Sequence, residues 1–233
     1  MSDPRTGTRF LPSVSARTLL ARGLAFVLLA LLAGCLSAPL DPLNRGPFFT
    51  PVNFRGSKSW PSDVRRVAVL PLDAHGAALP EDFVSSLDPV WLAALQDTQR
   101  AEFVPVSRYQ LSRLFSGTRS LDSTGLLPEH FLQRVAGATG ADAVLFCDVT
   151  GSNPYAPMSI GLRTKLVHLR SGSLIWACDE RFDAREPAVA NSARRFARDS
   201  GSARGDAVTA ILQSPTAFAA YASSSVAATF PNR

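Results

Sequence analysis

Three histidines, three cysteines and two methionines among 233 residues leave little material for metal or redox chemistry. None of His75, His130 and His168 stands one helical turn from another potential ligand, so the chain has no metal signature and implies no cofactor. No Gly-x-Gly-x-x-Gly, phosphate loop or Gly-x-Ser-x-Gly occurs, which removes the sequence signs of dinucleotide binding, nucleotide hydrolysis and the serine-hydrolase elbow. No repeat with a period of 20–50 residues is visible. Charged residues make up 18% of the chain, and no basic cluster is long enough to announce a nucleic acid. The formal charge of +5 owes much to the N-terminus, where Arg5, Arg9, Arg17 and Arg22 face Asp3 alone; without residues 1–34 it falls to +2. The chain is 46% hydrophobic, enough for one sizeable core, so disorder is not the answer for the whole.

What is present begins with Gly23–Leu32, an apolar run of ten residues behind four arginines and directly before Ala33-Gly34-Cys35. Ten residues suit a secretory apolar core, whereas crossing a bilayer takes about twenty. Leu32-Ala33-Gly34-Cys35 resembles the lipobox of bacterial lipoproteins. The resemblance implies signal-peptidase recognition through Leu32, Ala33 and Gly34, cleavage before Cys35, and acylation of the Cys35 thiol and amine. The lipid bilayer would then be a partner through acylated Cys35. Leu36 and Ser37 follow the cysteine in place of aspartate, which by the same resemblance implies sorting to the periplasmic leaflet of the outer membrane.

Residues 35–62 carry five prolines and no periodicity, and they read as an acylated cysteine with a semi-extended tether of up to about 90–100 Å. The tether also holds Phe48, Phe49, Phe54 and Trp60, which either strap back on the domain or form a partner motif. The expected division is therefore a signal peptide over 1–34, the tether over 35–62, and a periplasmic domain over 63–233.

Within that domain the patterning predicts strands at 66–70, 103–106 and 141–149, and an antiparallel pair at 158–166 and 174–182. Pro105 places the second strand at a sheet edge. Helical periodicity covers 81–99, with Asp88 as N-cap and Pro89 as first residue of the true helix. Further helices follow Ser107, Pro128, Pro187 and Pro215, with a short one at 206–212. The fold class is α/β (α+β), a single two- or three-layer domain with a mixed sheet, packed helices and a C-terminal antiparallel hairpin.

The order Val67-Ala68-Val69-Leu70-Pro71, Phe103-Val104-Pro105-Val106, Thr139-Gly140-Ala141-Asp142-Ala143-Val144-Leu145 and Ser171-Gly172-Ser173-Leu174-Ile175-Trp176 resembles the periplasmic α/β domains of the CsgG, TolB N-terminal and LpoB group. The resemblance implies a membrane-tethered interaction domain without an active site, with another envelope protein as partner in envelope assembly, export or regulation of cell-wall synthases.

Two features admit chemistry. Asp73 and His75 lie in the loop after the first strand, where α/β sheets hold ligands, and offer an alternative reading as an envelope hydrolase or ligand-binding protein. Cys147 and Cys178 fall on strands in what would be an oxidising compartment. They could bridge if their strands were neighbours, but a simple meander puts one strand between them and favours two buried thiols.

Overall fold

The β-branched run after Arg65 and the apolar run after Asp142 lie side by side as parallel strands, Val67 opposite Ala143 and Val69 opposite Leu145. They are interior strands of a six-stranded mixed sheet in a computed structural model that describes residues 46–74, 77–200 and 205–233. The strands are β1 (Phe54–Gly56), β2 (Arg66–Val69), β3 (Glu102–Pro105), β4 (Ala143–Asn153), β5 (Ser159–His168) and β6 (Leu174–Asp183), in the order β1-β6-β5-β4-β2-β3. β3 runs parallel to β2 at one edge, where Pro105 costs no ladder hydrogen bond. β4, β5, β6 and β1 pair antiparallel. The Asp142 carboxylate fixes where β2 begins by accepting the backbone N–H groups of Arg65 and Arg66 at 2.9 and 3.0 Å.

Among the described residues six helices surround the sheet: α1 (Glu81–Asp97), α2 (Arg108–Leu114), α3 (Phe131–Thr139), α4 (Pro187–Asp199), α5 (Gly205–Ala210) and α6 (Pro215–Ala227). Ser107 caps α2 in a reciprocal box with Gln110. α3 ends on Gly140 at φ +63°, a left-handed conformation that glycine adopts without strain.

The sheet's two faces have separate cores. On the first, Val67, Val69, Leu145, Leu166 and Trp176 meet α1, α4 and α6. On the second, Ala68, Leu70, Val144 and Phe146 meet Leu111 of α2 and Val135 of α3, joined by a chain of rings from Phe115 through Phe131 to Phe146 at 5.2 and 5.6 Å. α2 and α3 cover β2 and β4, while the second-face residues of β5 and β6, Arg163, Lys165, Asp179 and Arg181, are half-buried or exposed. The domain is thus three layers thick over one half of the sheet and two over the other.

One expected boundary is corrected. α1 does not begin at Pro89; it runs unbroken from Glu81 through that proline, and Asp88 caps nothing. Val84, Leu87, Trp91 and Leu95 are buried along its whole length, so tertiary packing outweighs the backbone hydrogen bond that proline forgoes. The Asp88 carboxylate is used elsewhere, accepting the Leu72 N–H at 2.9 Å and pairing with Arg108 at 3.1 Å.

The described part of the 35–62 stretch lies on the domain. Phe49 packs edge-on against Phe182, and its N–H donates to the Ser192 hydroxyl at 2.8 Å. β1 adds to the β6 edge, with Arg55 opposite Ala177. Trp60 is buried against Phe230, its indole N–H donating to the Val64 carbonyl at 2.8 Å. Phe54 stays exposed. Full burial of the Trp60 ring contributes about 1.5–3 kcal/mol and the half-buried Phe49 less, which together hold this segment as a strap. Three residues flanked by Asn53 and Ser57 carry no alternation, which is why β1 left no strand signal in the sequence.

Candidate functional site

β2 sends the chain to α1 on the first face and its neighbour β3 sends it to α2 on the second. A crevice opens between two strands whose outgoing connections part in this way, at their carboxyl ends. A cleft of about 240 Å³ lies there, lined by Leu72, Asp73, Leu79, Arg108, Arg119 and Ser120. A second, of about 170 Å³, adjoins it at the end of β4 and is lined by Asp73, Asp122, Asp148, Thr150 and Arg163. Both fall below the roughly 300 Å³ at which drug-sized ligand pockets begin.

Asp73 stands on the wall common to both. The residue is buried, its N–H donates to the Cys147 carbonyl at 3.0 Å and its carbonyl accepts the Val149 N–H at 2.7 Å. Its carboxylate accepts the Ser120 hydroxyl. His75, the residue paired with it in the sequence, lies outside the described residues, as do Cys35 and the lipobox positions Leu32, Ala33 and Gly34.

Asp148, which motif reasoning passed over, is the most perturbed acid of the site. Burial pushes its carboxyl up to about 6, and the neighbouring charges of Asp122 and Asp73 push the same way against the hydrogen bonds from Ser123. Ser123 donates its hydroxyl to one oxygen at 2.6 Å and its N–H to the other at 3.0 Å. Lys165 closes the unit from β5, its ammonium donating to the Ser123 carbonyl at 2.7 Å. Asp122 accepts the N–H and hydroxyl of Thr124, and those bonds hold its carboxyl below the usual range. The sequence did contain a signal for Asp148: it is the one acid inside a strand stretch, Ala143–Val149, that is otherwise apolar.

These contacts tie down the long connection between α2 and α3. Asp73 holds it at Ser120 and Asp148 holds it at Ser123; beyond the second tie, Leu126 is fully exposed and Leu127 is 44% exposed. A carboxyl near 6 can hold or release a proton around neutrality, but both its oxygens are aimed at a serine of its own chain. Its work is to fix a loop. Among the described residues, no group of three His, Cys, Asp or Glu side chains could hold a metal.

The other histidines stand apart. The His168 ring accepts the N–H groups of Arg170 and Ser171 at Nδ1, which leaves Nε2 to donate to Asp63 at 3.0 Å. His130 precedes α3 in a left-handed conformation, beside Glu129. Cys147 and Cys178 both stand opposite Thr164, one on each side of it. Two strand spacings, about 10 Å, exceed the span of a disulfide, and both are free, buried thiols.

No protein-family model matches the chain, and no curated protein does. Solved structures similar to it include lipoprotein GNA1162 from Neisseria meningitidis, at 15% identity over 51% of this chain and 79% of that one, with a TM-score of 0.37. PelC from Paraburkholderia phytofirmans, solved as a dodecamer, is 13% identical over 72% of this chain and 97% of its own, with a TM-score of 0.39. LpoB from Escherichia coli is 16% identical over 78% and 87%, with a TM-score of 0.36. The likenesses are distant, and none assigns a role to this chain.

Proposed function

We propose that this chain is a lipoprotein of the bacterial cell envelope, anchored through acylated Cys35 in the periplasmic leaflet of the outer membrane, that works without catalysis by binding another envelope protein. The observation that carries this reading is the exposed Leu126-Leu127 step on a connection pinned at Ser120 and Ser123. Asp73 and Asp148, at the carboxyl ends of the strands, are engaged in holding that connection, and the described chain leaves Leu126 uncovered and Leu127 part-covered. A small apolar step on an ordered loop is a protein-binding feature. A non-catalytic partner in envelope assembly, export or cell-wall synthase regulation, as the sequence resemblance implies, is the role this serves.

A photo-crosslinking amino acid at position 126 of the anchored protein, activated in its own envelope, tests the reading. The expected result is a discrete adduct with one envelope protein, lost on Leu127→Ser and reduced in the Cys35→Ala form. Absence of any adduct at 126, with full envelope function, would overturn it.

The second reading is an envelope hydrolase or ligand-binding protein that uses the cleft at Asp73, and it rests on the position of that cleft between the diverging connections of β2 and β3. Asp73→Asn with His75→Ala separates the two: loss of function in a protein that remains folded and still crosslinks at 126 favours the cleft.

A further inference from the structure

We infer that the arginine flank of α4, formed by Arg194, Arg195 and Arg198, is a contact surface for the anionic lipid headgroups of the leaflet that carries the anchor. The inference rests on the reading of Cys35 as the acylation site.

Its starting point is where the described chain meets the domain. The Asn191 amide of α4 donates to the Pro47 carbonyl at 3.3 Å, Ser192 receives the Phe49 N–H, and the Arg195 guanidinium lies 4.8 Å from the Phe48 ring centroid. The strap is therefore seated from its first residues on the flank of α4 that bears Arg195. Ten residues lie between Cys35 and Gly46, and the eleven residue-to-residue steps of a fully extended chain reach about 36–40 Å.

A domain of this size has a radius of gyration of about 16 Å and is about 40 Å across, so a path over its surface to the opposite side is about 60 Å. The chain is too short for that path. An anchor at Cys35 therefore excludes the orientation in which the α4 flank faces directly away from the bilayer, and the charge of that flank selects among the rest.

The chemistry of the flank suits headgroups and does not suit insertion. Asp199 lies 3.6 Å from Arg195 and 3.2 Å from Arg198, and the helix Pro187–Asp199 carries three arginines against that one acid in its own sequence. Arg194 meets the neutral Asn191 side chain at 3.4 Å. The apolar side of the helix, Val189, Ala193 and Ala197, is buried in the first-face core, and Phe196 packs on Tyr221, so the apolar side of α4 is spent on its own domain. A helix with a net positive outer flank and a spent apolar side binds an anionic surface by charge, each arginine strengthening association about fivefold.

The test uses the acylated protein in vesicles of phosphatidylcholine alone or of phosphatidylcholine with phosphatidylglycerol, each doped with a nitroxide-headgroup lipid. A fluorophore is attached at Ser200→Cys beside the flank or at Leu126→Cys on the α2–α3 connection; Cys147 and Cys178 are buried and do not compete. Flotation with both vesicle types reads the anchor, and quenching reads the contact. The expected result is strong quenching at 200 only with phosphatidylglycerol, relieved by salt and by R194Q/R195Q/R198Q, with little quenching at 126. Equal quenching at 200 in both lipids, no effect of the triple variant, or stronger quenching at 126 would overturn the inference. Failure to float with either vesicle removes the anchor, and the inference with it. Binding of the Cys35→Ala protein to cell-wall glycan, lost in the triple variant and unaccompanied by lipid quenching, would give the flank to a polymer instead.

Discussion

Ser123 gives Asp148 both its hydroxyl, at 2.6 Å, and its backbone N–H, at 3.0 Å, so that one carboxylate at the end of a central strand fixes the middle of the α2–α3 connection. Neither residue is remarkable alone. Together they decide whether Leu126 is displayed on an ordered loop or on a loose one.

The first prediction concerns pH. The folded-state carboxyl of Asp148 is raised to about 6 from an ordinary value of 3.8, so the folded protein holds this proton over a range in which the unfolded chain has released it. Its contribution to stability is fully present below about pH 4 and is lost as pH rises through about 6. Asp183, held down to about 2 chiefly by Arg185, acts in the opposite sense, losing its contribution only as pH falls through about 2, outside that window. Thermal melts between about pH 4 and 6 should show a midpoint that falls with rising pH, and Asp148→Asn should flatten the trend. An unchanged slope in the variant would contradict the assignment.

Trp60 sets the strength of the strap. Trp60→Ala removes a buried ring and the bond to the Val64 carbonyl, and should destabilise the domain by about 3–5 kcal/mol in denaturant unfolding. Phe54→Ser, on the exposed side of β1, should stay within about 0.5 kcal/mol of the parent. Similar losses for both would mean that the strap is held some other way.

Asp88 ties three pieces of chain together. Burial is the main cause that pushes its carboxyl up, yet it is retained against that penalty by the Leu72 N–H and Arg108. Asp88→Ala strands both partners and should cost about 1–3 kcal/mol, with Asp88→Asn costing less because an amide oxygen still accepts from Leu72.

The thiols should be silent. Burial pushes Cys178 up to about 12 and Cys147 well above its ordinary value, so neither forms thiolate near neutrality. Maleimide should label them only after unfolding, and oxidised protein should yield no linked 147–178 peptide. Such a peptide would require the two to leave their places across Thr164.

Much of the fold could be read from the sequence because its signals are local. Val67–Val69 and Ala143–Val149 are apolar enough to announce interior strands, Pro105 marks an edge, and Ser107 marks a helix start. Two things were not legible, and both depend on residues far apart in the chain. The continuity of α1 across Pro89 follows from a buried face that outweighs a local break, and the pairing of β1 with β6 spans more than a hundred residues with no alternation to betray it. The site divides the same way. Asp73 stood out because it follows a strand, whereas Asp148, Ser120 and Ser123 come together only when the α2–α3 connection folds over the strand ends. A single acid in an apolar strand was the sole local sign of that arrangement.

The account turns on Cys35, because the proposed envelope role and the proposed lipid contact of α4 both rest on an anchor there. Mass spectrometry of the N-terminal peptide from protein extracted from its own membranes tests this most directly. The predicted result is a chain beginning at Cys35 and carrying acyl groups; a chain that retains residues 1–34, or begins elsewhere without lipid, would contradict it.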